Sequence, residues 1–136
     1  MANGEFVIQD GVLVEYCGAG GSVTIPDGII TIGKSAFILC KNILSVTIPN
    51  TVRNIEDSAF RLCEGLTNIT IPDGVVTIGT QAFRDCKNLT SITFPASVES
   101  IGQWAFAFCG SFTIYAPAGS YTEQYAKSIE VPFVAI

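Results

Sequence analysis

Apolar positions in this chain follow neither a helical period nor a simple alternation; they recur in blocks with a 23-residue step. Over residues 66–88 they fall at Leu66, Ile69, Ile71, Val75, Ile78, Ala82, Phe83 and Cys86. The block before supplies Ile43, Val46, Ile48, Val52, Ile55, Ala59, Phe60 and Cys63, and the block after supplies Leu89, Ile92, Phe94, Val98, Ile101, Ala105, Phe106 and Cys109. Phenylalanine preceded by alanine also occurs at Phe37, proline repeats at Pro26, Pro49, Pro72 and Pro95, and Cys40 and Cys17 extend the cysteine column backwards. A fixed period of this length marks a solenoid, in which no block folds alone and stacking on the neighbours removes the shared columns from water. The eight apolar columns are therefore expected to point inward.

Within one block, Ile69-Thr70-Ile71 alternates in, out, in, which predicts a half-buried strand. Pro72 ends its hydrogen bonding for want of an N–H, and Pro72-Asp73-Gly74 reads as a tight turn. Residues 75–79 predict a second short strand, and residues 80–86 a short helical or irregular corner with Ala82 and Phe83 turned inward. A small alanine beside each phenylalanine lets one ring per coil stack on the next. Strand spacing near 4.8 Å makes about five coils a block roughly 25 Å long.

The ends depart from the period as caps should. Phe6-Val7-Ile8 and Val12-Leu13-Val14 flank Asp10-Gly11, a strong hairpin signal, and that hairpin is expected to cover the first coil. Gly20 stands where later coils carry Ile43 or Leu66. Ser120 and Glu123 form a capping box for a helix through about Lys127, whose Tyr121 and Tyr125 are expected to seal the last coil, and residues 131–136 predict a final strand. The chain thus reads as one strand-rich α/β solenoid domain over 1–136: an N-terminal hairpin cap (1–21), repeats (22–111), then a partial repeat with a helical cap (112–136).

Composition narrows the function more by exclusion than by indication. Histidine is absent, which removes the Ser-His-Asp and Cys-His arrangements, the usual zinc and iron ligand sets and the best proton carrier near neutral pH. Neither an enzyme nor a metal or other cofactor is expected. A net charge of −5 with scattered Lys and Arg argues against a nucleic-acid face. No apolar run approaches the roughly 18 residues of a membrane span, so no membrane insertion is expected. The start, Met-Ala-Asn-Gly-Glu, carries no signal-peptide pattern, as would also be true of a processed chain or a piece of a longer repeat protein.

The motif Leu66-x-x-Ile69-x-Ile71-Pro72-x-x-Val75-x-x-Ile78-Gly79-x-x-Ala82-Phe83-x-x-Cys86 resembles the leucine-rich repeat of the BspA-like family, over residues 22–117. The hairpin ending in Tyr16 and the Ala-Pro-Ala-Gly-Ser segment resemble that family's flanks. The resemblance implies a right-handed leucine-rich-repeat superhelix, a surface or secreted location, and adhesion or protein binding. It offers no catalytic residue to carry over.

Candidate sites each admit a plain structural reading beside a functional one. Thr24, Thr47, Thr70 and Thr93 face outward from the first strand, with Ser22, Ser45, Asn68 and Ser91 two places earlier. β-Branched threonine suits any exposed strand; alternatively this sheet face recognises a partner. An ice-binding surface is disfavoured because the row is single, the second strand carrying Thr31, Asn54, Thr77 and Ser100. Trp104 occupies a column otherwise holding Ser35, Ser58 and Gln81, and Phe108 one holding Leu39, Leu62 and Asp85. The pair is either covered by the C-terminal cap, the favoured reading, or an apolar patch for a partner. Arg61 and Arg84 align one coil apart, either solvated or poised for an acidic group. The cysteines are expected to be buried free thiols, because parallel side chains on stacked coils hold their Cβ atoms too far apart for a bridge. The function expected is a non-catalytic module binding a protein, such as a host matrix protein, or a glycan at a cell surface. The alternative is a structural spacer that self-associates.

Overall fold

Within the repeats, paired strands lie parallel to their equivalents one coil away, as where Asn68 faces Ser91, Ile69 faces Ile92 and Thr70 faces Thr93 at the repeat step, while the N-terminal hairpin strands pair antiparallel. These pairings come from a computed structural model that describes residues 5–136. In chain order the strands are β1 (Phe6–Gln9), β2 (Val12–Tyr16), β3 (Gly21–Thr24), β4 (Thr31–Ile32), β5 (Ile43–Thr47), β6 (Asn54–Ile55), β7 (Asn68–Thr70), β8 (Thr77–Ile78), β9 (Ser91–Thr93), β10 (Ser100–Ile101) and β11 (Thr113–Ala116). Helix α1 (Tyr121–Ser128) and strand β12 (Phe133–Ala135) follow.

The winding chain lays down two ribbons. One has the order β1-β2-β4-β6-β8-β10 and carries the second strand of every coil. The other carries the first strands and is broken in two, β3-β5 and β7-β9-β11-β12. The break falls between β5 and β7, which are in contact without strand pairing. Second strands are shorter than the pattern suggests: residues 75–79 yield only Thr77–Ile78.

The core sits between the ribbons and the corners, and it is the predicted set of columns. Every member of the three full blocks is buried except Cys109, which is half-buried at the C-terminal end. Phenylalanine rings run through it as a file of near-parallel plates, with centroids 4.9 Å apart from Phe37 to Phe60, 5.1 Å from Phe60 to Phe83 and 5.3 Å from Phe83 to Phe106. Tyr16 extends the file, its ring 5.2 Å from Phe37. Phe112 and Tyr125 close the other end at a tilt against Phe106. The hairpin thus covers the first coil by supplying a substitute ring.

The corners are not helical. Each is a tight turn with two left-handed, non-glycine residues: Ser35 and Leu39, Ser58 and Leu62, Gln81 and Asp85, Trp104 and Phe108. Such backbone is costly for bulky side chains. Here it aims alternate N–H groups along the stack, Ser58 to Thr80, Phe60 to Ala82 and Leu62 to Arg84, at 3.0, 2.7 and 2.8 Å. Corner hydrogen bonds between coils thereby replace those a helix would make within itself.

At the C-terminus, Ser120 Oγ accepts from the Glu123 N–H at 3.1 Å, and Glu123 Oε1 accepts from the Gly119 N–H at 2.7 Å. The buried stripe of α1 is Thr122 and Ala126. Tyr125 is half-buried against Phe106, whereas Tyr121 is more exposed, and its hydroxyl accepts from the Ile101 N–H at 3.2 Å. The two tyrosines therefore do not act as a pair; one seals the coil and the other props its rim.

Candidate functional site

The outward positions of the first strands form a shaped surface. Isoleucine or valine points inward from each strand, so the flanking Ser, Thr and Asn point out. Thr24, Thr47, Asn68 and Thr70 are exposed, and Ser45, Ser91 and Thr93 half-exposed. Register aligns Thr24 with Thr47 and Ser22 with Ser45, whose hydroxyls lie 3.1 Å apart in a hydrogen bond. Beyond the break, Thr70, Thr93 and Tyr115 form one row and Asn68, Ser91 and Thr113 another. Thr113 and Tyr115 were not legible as members, because β11 follows a one-residue slip in the period.

Over the middle of this face runs a groove of about 880 Å³. Ser45, Thr47, Asn68, Thr70 and Thr93 line it, with Asp73 beside them. Thr24 and Ser91 lie outside its lining, as does Trp104. Pro117 and Ile136 form the C-terminal wall, a contribution visible only once the chain has folded back as β12. Hydroxyls and amides that both donate and accept dominate the polar lining, and Asp73 is its single charged side chain. Such a surface matches neutral polar ligands better than highly charged ones.

Trp104 belongs to a different region. It is 62% exposed and Phe108 68%, so the C-terminal cap does not fold over them as expected. Left-handed backbone at both residues turns the side chains off the corner, while α1 presses its buried stripe toward the solenoid end. Arg84 reaches this pair: its guanidinium carbon is 5.0 Å from the Phe108 ring centroid, a cation–π contact. Its Nε lies 3.5 Å from Asp85 Oδ2, an ion pair without hydrogen-bond geometry. Arg61 instead donates to Gln81 Oε1 at 3.2 Å. Both arginines are thus engaged within the corner stack.

The cysteine column is structural. Cys63 and Cys86 are buried free thiols, Cys40 and Cys109 half-buried, and Cys17 exposed. Burial, followed by the neighbouring Cys40, pushes the Cys63 thiol up to about 12. Cys86 is likewise raised, by the neighbouring Cys109 thiol and then by burial. Neither buried thiol is a nucleophile near neutral pH.

Coils with paired first strands, a buried Phe–Cys corner and a shaped strand face define a leucine-rich-repeat solenoid. The chain belongs to the BspA type leucine-rich repeat family, whose profile matches six copies over residues 11–126. That family is typically surface-associated and such repeats are generally non-catalytic. Three solved structures share the fold. A leucine-rich repeat protein from T. pallidum has 24% identity and a TM-score of 0.57, covering 81% of this chain and 67% of its own. A leucine-rich repeat protein from Bacteroides ovatus has 23% identity and a TM-score of 0.66, covering 90% and 44%. A leucine-rich cell surface protein from Faecalibacterium prausnitzii has 22% identity and a TM-score of 0.51, covering 88% and 49%. This chain therefore spans about half the length of the latter two. No curated protein matches the sequence. Among the described residues, no helix is long and apolar enough to cross a membrane.

Proposed function

We propose that this protein is a non-catalytic binding module of a cell-surface or secreted adhesin-like protein, and that its ligand, a protein such as a host matrix component or a glycan, lies in the groove across the first-strand face. The observation that carries this reading is the alignment of Ser45, Thr47, Asn68, Thr70 and Thr93 along one groove of about 880 Å³. Strands held in register by coil stacking present these groups at fixed spacing, so little ordering entropy is lost on binding. The near-neutral lining favours ligand hydroxyls or peptide backbone over phosphates.

Thr70→Lys tests it. Thr70 is exposed and central in the groove, so a lysine there blocks the surface without entering the core. In a screen against matrix proteins and glycans, the wild type should bind at least one, and the variant should bind it at least about tenfold more weakly with an unchanged circular dichroism spectrum. Equal affinity of the two proteins would remove the groove from the account.

A further inference from the structure

We propose that the last corner of the solenoid is a second docking site, which takes an extended apolar segment of a partner polypeptide. In each earlier corner, N–H groups at alternate positions donate to carbonyls of the following coil; Gln81, Phe83 and Asp85 donate to Gln103, Ala105 and Ala107 at 3.0, 2.7 and 2.8 Å. The equivalent donors of the last corner are Trp104, Phe106 and Phe108, and none has a carbonyl acceptor among the described residues. The reason is topological: after β11 the chain leaves as α1, so no further corner is laid on this one.

The shape beside these donors is that of a receptor for peptide. A cleft of about 330 Å³ separates the corner from the cap, lined by Trp104, Phe106, Phe112, Tyr125, Ile129 and Val131 among others. Across Ala107, Arg84, Trp104 and Phe108 enclose a second hollow of about 310 Å³. A row of main-chain donors between two apolar hollows matches a row of main-chain carbonyls with apolar side chains set on both sides, the complementarity by which chains add to open edges. Trp104 and Phe108 are also the two most exposed aromatic residues described. Both occupy strained left-handed positions where other coils place Ser, Gln, Leu or Asp.

A second copy of this chain is a poorer occupant. Its complementary carbonyls belong to the first corner, where the Tyr16 N–H already binds the Ala36 carbonyl at 2.9 Å and the Tyr16 ring covers Phe37. A glycan offers scattered hydroxyls and no carbonyl row.

Panning a displayed library of random peptides on the full chain, then measuring one enriched synthetic peptide by fluorescence anisotropy, tests the site. The variants are Trp104→Ser and Phe108→Leu, which install residues the same columns already carry at Ser58 and Leu62, so folding is retained. The expected result is at least about tenfold weaker binding by Trp104→Ser. Amide exchange at Trp104, Phe106 and Phe108 should slow on binding, and Thr70→Lys should leave this affinity unchanged. Failure to enrich any peptide, binding indifferent to both corner variants, or binding lost on Thr70→Lys would each overturn the proposal. So would a concentration-dependent mass of the peptide-free protein that Trp104→Ser abolishes, since the occupant would then be a second copy.

Discussion

The thiol of Cys63 donates to the carbonyl oxygen of Phe37, 3.1 Å away and one coil back. Cys86 bonds the Phe60 carbonyl and Cys109 the Phe83 carbonyl in the same way, at 3.2 and 3.1 Å. The cysteine column therefore does more than fill space; it ties each corner to the one before. Replacing Cys63 by alanine removes a weak hydrogen bond and leaves a small cavity in a fully buried site. A loss of about 1–3 kcal/mol is expected, measured by urea unfolding. Phe37 O keeps the Cys40 N–H at 3.2 Å, so the corner should persist.

Alkaline pH should unfold the protein through the same column. The Cys63 thiol, ordinarily near 9.0, is held up to about 12 in the fold because burial opposes the thiolate. Below the unfolded value both states keep the proton and the stability is fully present. As pH rises from there toward 12, the unfolded chain ionises first and stability falls, by about 1.4 kcal/mol per pH unit for each such thiol. Urea midpoints taken between neutral pH and about pH 11 should decline, and decline less steeply in Cys63→Ala. Equal slopes would clear the thiol of responsibility.

Phe60 stands between rings at 4.9 and 5.1 Å, nearly parallel to both. Phe60→Ala should cost about 3–5 kcal/mol, whereas Phe60→Leu, which refills much of the volume, should cost about 1–2 kcal/mol. Thermal unfolding of the two variants checks the order.

Gly20 has φ +96°, and a Cβ there would sit 2.5 Å from the backbone oxygen of Asn42. Gly20→Ala is strained twice over, by its dihedral and by an unyielding neighbour. It should destabilise by more than about 2 kcal/mol, with the effect on hydrogen exchange greatest at β3 and β5.

Ser120 holds the first turn of α1 through its bond to the Glu123 N–H. Ser120→Ala should cost about 1 kcal/mol. Exchange should quicken in α1 while the amides of β7 and β9 stay protected.

Much of this fold was legible because a column repeated at a constant step has one economical explanation. The eight inward columns, the Pro-Asp-Gly turn and the capping residue Ser120 all follow from side-chain type and spacing. The corner was less legible. Ser58, Leu62, Gln81 and Asp85 carry no common signal for left-handed backbone, which is imposed by hydrogen bonds to a neighbouring coil. The outward rows of the candidate groove were readable from alternation, but not their end wall at Pro117 and Ile136.

By itself the periodicity determined that Phe37, Phe60, Phe83 and Phe106 share one file, since parallel stacking is the arrangement that buries the same position of every block. Only the tertiary structure decided that Tyr16 joins that file, that pairing breaks between β5 and β7, and that Trp104 and Phe108 face solvent beside amides with no carbonyl partner among the described residues. The first and last of these arise where repetition stops, whereas the break falls between two blocks that keep every apolar column. At such points a residue's place depends on which neighbouring coil is present, and that is a property of the assembled stack.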